Sequence, residues 1–130
     1  VVTDPVATSD IDHAYELIEP YLARLTSWEG TLEPCEVYRI LENGSATLHL
    51  IMGVGFMVCQ WTPGVCHVLI AASYDLKVDS LAKSVDLFSE YVRKTGTQKI
   101  TFTSPRPAWS KLSAECGFKV ESVNYSKVLL

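Results

Sequence analysis

The sequence predicts one α+β (α/β) domain: a mixed, mostly antiparallel central sheet with two N-terminal helices, a long middle helix and a short C-terminal helix. Three observations carry this. Ile11, Tyr15, Ile18, Leu22 and Leu25 recur at helical spacing. From Ser45 the period changes, and three short apolar runs follow between turn signals. Helical spacing then returns at Leu81, Val85, Phe88 and Val92, ahead of a further strand and helix.

The first helix starts at Ser9-Asp10-Ile11-Asp12, which reads as a capping box with Asp12 in the positive first turn. Pro20 removes the hydrogen bond to the Glu16 carbonyl, so a kink or two short helices are expected there. A second helix is expected over Glu33–Glu42, with Pro34 in its first turn and Asn43-Gly44 ending it.

The apolar runs at about 45–52, 56–62 and 65–73 are rich in Val, Ile, Leu, Phe and Trp and read as strands. Gly53-Val54-Gly55 and Pro63-Gly64 make them an antiparallel meander. Cys66 through Ser73 is almost wholly apolar, which makes that strand central and covered on both faces. Asp79 is the expected cap of the middle helix, with Arg93 and Lys94 at its negative end and Gly96 stopping it. Lys99–Thr103 reads as a strand. Pro105-Arg106-Pro107 opens a helix to about Cys116, Gly117 ends it, and residues 118–129 alternate as one or two closing strands. All 130 residues are consumed as one domain, with about eight irregular residues leading it.

Composition narrows the function classes. Hydrophobic residues make up 48% and charged residues 20%, with mean hydropathy +0.15, which excludes a disordered charged tail. The net charge of −4 does not point to nucleic acid. It hides a division: residues 1–65 carry nine acids against Arg24 and Arg39, and residues 66–130 carry nine bases against six acids. No stretch approaches the roughly 18 apolar residues of a membrane span, and VVTDPVATSD lacks the basic and apolar regions of a secretory signal. The expected location is therefore cytoplasmic, not secreted.

The cysteines at 35, 59, 66 and 116 form no C-x-x-C pair and are expected as reduced thiols. A hairpin at Pro63-Gly64 sets Cys66 opposite Trp61 and Cys59 diagonal to it, a poor geometry for a bridge. His13, His49 and His67 show no ligand spacing with the cysteines, so no metal is expected.

The order of elements, together with SPRPAWSKLSAECGFKVESVNYSKVL and its helix ending in Gly117-Phe118, resembles the GNAT N-acetyltransferases. In that family the central strand feeds a glycine-rich loop whose amides, with the following helix N-terminus, hold the coenzyme A pyrophosphate. The resemblance places this loop at Tyr74-Asp75-Leu76-Lys77-Val78-Asp79-Ser80, which contains no glycine and two carboxylates. The family's thiolate-protonating Tyr maps onto Ser113, a shorter and far less acidic hydroxyl, and its helix-heading Asn onto about Arg106. The resemblance implies His67, Ser113 and Tyr74 as catalytic candidates, and Leu69, Ala71, Lys77, Ser80 and Arg106 as cofactor-binding candidates. Cys66 beside His67 does not make a nucleophile and base, because adjacent strand residues face opposite ways.

Three functions follow. The first is a degenerate, non-catalytic GNAT-like domain without cofactor, acting as a binding or structural subunit through a protein partner or self-assembly. Compact GNAT-like domains without the glycine loop occur among internal and virion proteins of tailed bacteriophages, which this chain resembles in size and order. The second is a divergent N-acyltransferase whose acetyl-CoA lies along the backbone of the central strand, in a V-like opening between strands 65–73 and 99–104. The third is a small inhibitor or adaptor anchored by Trp28, Trp61 or Trp109.

Overall fold

A computed structural model of the chain describes residues 2–25, 32–75, 77–102, 117–118 and 127–129. The elements are a 3-10 turn Thr8–Asp10, α1 (Ile11–Leu25), α2 (Pro34–Glu42), β1 (Thr47–Ile51), β2 (Gly55–Thr62), β3 (Val65–Ser73), α3 (Val78–Lys94) and β4 (Lys99–Phe102). The strands lie in the order β1-β2-β3-β4. β1, β2 and β3 are antiparallel, as the short turns dictate, and β4 returns parallel to β3 after the α3 crossover. The expected C-terminal helix and closing strands lie outside the described residues, apart from Gly117, Phe118 and residues 127–129.

The alternation of β1–β3 sorts side chains onto two faces. On one, Leu48, Phe56, Val58, Ile70 and Ala72 pack against Ile11, Ala14, Ile18 and Leu22 of α1 and Val37 and Leu41 of α2. On the other, Ile51, Met57, Cys59, Cys66 and Val68 pack against Val85, Phe88 and Val92 of α3. The sheet is thus covered on both sides.

α1 runs unbroken through Pro20, where a kink or a break was expected. Ile18 and Leu22 on either side of the proline are both buried against the sheet, while Glu16 and Pro20 are exposed. The carbonyl that Pro20 orphans therefore reaches water, and packing holds the two halves in line. Ser9 lies inside the 3-10 turn and not at a helix head, so the capping box is not formed as read. α1 is tied to α2 by Tyr15, whose hydroxyl donates to the Pro34 carbonyl at 2.9 Å, and by Tyr38, whose hydroxyl donates to the Asp12 carboxylate. That carboxylate, with lesser contributions from burial and Glu42, pushes the Tyr38 phenol up to about 12.

The hairpin register agrees with the sequence: Trp61 faces Cys66, and Cys59 faces Val68, diagonal to Cys66. Both thiols are buried and free. The neighbouring Cys66 thiol and burial push the Cys59 thiol up.

The leading residues carry more structure than expected. Val2 bridges Ile51, Thr3 N–H donates to the Leu50 carbonyl and Val6 N–H to the Leu48 carbonyl, each at 2.9 Å. The segment therefore runs along the outer edge of β1 and shields a strand that would otherwise offer unpaired groups.

Candidate functional site

β3 positions the site through one irregularity. Val58 pairs with Ile70, but Cys59 pairs with Val68, so Leu69 is an extra residue on β3, a β-bulge. The parallel ladder to β4 runs from Val65–Lys99 to Val68–Phe102. Beyond the bulge, Leu69–Ser73 continue with no β4 partner among the described residues. Tyr74 N–H donates to the Val54 carbonyl at 2.8 Å, which directs Tyr74 toward β2. Alternation then turns the backbone groups of Ser73 and Ala71 to the opposite edge. The V-like opening expected between these strands falls beyond Phe102, outside the described residues.

The sequence hides this bulge because Leu69 and Ile70 are both apolar. Both join the core on the α1/α2 face, so the shift in phase leaves no polar residue misplaced.

The turn from β3 to α3 is organised by Asp75. One carboxylate oxygen accepts the Lys77 N–H at 3.0 Å and the other accepts the Ser80 hydroxyl at 2.5 Å. The Ser73 hydroxyl donates to the Lys77 carbonyl at 3.3 Å. Asp79, expected as the cap, lies instead in the first turn of α3; Lys77 holds the cap position with extended backbone, and no side chain caps the helix there. Asp75 sits four residues before Asp79, and its acceptor role follows from an Asx-type reach to the amide two residues on. That Asp-x-Lys spacing was the available signal.

The Ser80 hydroxyl and the Lys77 N–H hold the Asp75 carboxyl below its ordinary value of 3.8. The unfolded chain therefore takes up this proton at a higher pH than the folded one. The stabilisation is complete above the ordinary value and is lost as pH falls through the depressed one. An NMR titration of the Asp75 carboxyl carbon should give a midpoint below 3.8. A midpoint at or above that value would show that the two bonds do not form.

The other candidates fall in three places. His67 is half-buried beside the bulge; its Nδ1 lies 2.7 Å from Thr101 Oγ1, its register partner on β4. Cys66 points into the α3-side core, so His67 faces the α1/α2 side. If Nδ1 donates to Thr101, Nε2 is an available base. Tyr74 packs between Tyr21 at 5.1 Å and Phe56 at 6.3 Å, and burial, then Tyr21, raises its phenol. Leu69 and Ala71 line the two faces of β3 at and after the bulge. Lys77 and Ser80 are joined through Asp75. Ser113 and Arg106 lie outside the described residues, as do Trp28 and Trp109. Trp61 is a rim residue, its indole N–H donating to Thr47 Oγ1 at 2.7 Å. Among the described residues no three His, Cys, Asp or Glu converge on a metal-sized site, and no helix is long and apolar enough to cross a membrane.

No family model and no curated protein matches this chain. Solved structures do. A probable acetyltransferase superposes with a TM-score of 0.67 at 12% identity, covering 100% of this chain and 98% of the other. A ribosomal-protein-alanine N-acetyltransferase from Brucella melitensis biovar Abortus 2308 superposes at 0.62 and 14% identity, covering 100% and 99%. An aminoglycoside acetyltransferase from an uncultured soil metagenomic sample, in complex with sisomicin, superposes at 0.64 and 10% identity, covering 99% and 97%. The chain has a GNAT-like fold. At such identities the likeness is one of architecture.

Proposed function

We propose that this GNAT-like chain is a non-catalytic binding or structural domain, degenerate at the turn that would hold coenzyme A. The observation that carries the reading is the Asp75 carboxylate, engaged with the Lys77 amide and the Ser80 hydroxyl. A pyrophosphate needs those donors for itself, together with the positive end of α3. Here a firmly ionised carboxylate uses them, and Asp79 adds a second negative charge in the first helical turn. Like charge repels the phosphates over the distance at which the helix dipole would attract them.

A scaffold without its cofactor acts through its surface. The acidic first half and basic second half favour head-to-tail packing with copies of itself or with a larger protein assembly, as a virion subunit would need. Light scattering at rising concentration should show self-association that weakens with salt. A strict monomer would leave only a foreign partner.

The edge of β3 at Ala71 and Ser73, which has no partner among the described residues, favours a second reading, a divergent acetyl-CoA-dependent N-acyltransferase. Ser73 and Ala71 offer backbone groups beside the bulge, and His67 stands two residues before it. An assay separates the two. With acetyl-CoA and a panel of primary amines, our reading expects no release of free thiol above the uncatalysed rate. Amine-dependent thiol release, abolished by His67→Ala, would establish the second reading in its place.

A further inference from the structure

We draw no further inference here: the strongest candidate, the acidic seam between α1 and α2 where Asp12 and Glu42 flank Tyr38 and Glu19 lies beside Tyr15, is a cluster of carboxylates and nothing in the structure shows what covers it.

Discussion

Gly55→Ala should lower the melting temperature by about 10 °C or more, the largest effect expected of adding one methyl group to this chain. Gly55 opens β2 and pairs with Ser73 across the ladder. A Cβ there would lie 2.0 Å from the Ala72 carbonyl oxygen and 3.0 Å from both the Ala72 carbonyl carbon and the Ser73 Cα. These are backbone atoms, and no rotamer moves them away. β2 and β3 must separate at a point where Phe56 and Ala72 bury side chains against α1 and α2. Lost ladder bonds and disturbed packing together cost about 3 kcal/mol or more. A circular-dichroism melt within about 2 °C of wild type would show that the strands do not approach as closely as described.

Phe88→Ala should destabilise the fold by about 3–5 kcal/mol. Phe88 is 1% exposed and fixes α3 to the sheet, with its ring 5.5 Å from His49 and 6.0 Å from Tyr91. Val85, Val92, Ile51, Met57 and Cys59 complete its surroundings, and none is large enough to fill the space a phenyl ring leaves. Leu17→Ala on α1 is the contrast, because Leu17 is 53% exposed. Chemical denaturation should place the Leu17 variant within about 0.5 kcal/mol of wild type. Equal losses for the two would contradict the division into core and surface.

The same physics explains what was legible in the sequence. Period and turn residues together located the three antiparallel strands and α3, and Pro34 with Asn43-Gly44 bounded α2, because each element buries one stripe or one face between turns that carry Gly, Pro or Asn. The Trp61–Cys66 register followed from the two-residue turn at Pro63-Gly64. The failures are local choices between near-equal partners. Asp75 and Asp79 both offer a carboxylate to the start of α3, and only the path of the turn decides that Asp75 takes the Lys77 amide. Ser9 resembles a cap, but the chain tightens into a 3-10 turn before α1 and leaves it inside. The Leu69 bulge is invisible because an unbroken apolar run has no phase to lose. The partner of His49 left no sign in the sequence, since Thr3, 46 residues earlier in the chain, meets it only after β1 is covered by the N-terminal segment.

The site reading rests on one charge in one turn. Titration calorimetry with coenzyme A and with acetyl-CoA, at protein concentrations that detect millimolar affinity, tests it most directly. The account predicts no heat beyond dilution for the wild-type chain, and for Asp75→Asn, which removes the charge and keeps one of the two acceptor oxygens, at most weak binding. Saturable one-to-one heat from the wild-type chain with micromolar affinity would contradict it, because the Asp75 turn would then hold the phosphates that its carboxylate is argued to repel.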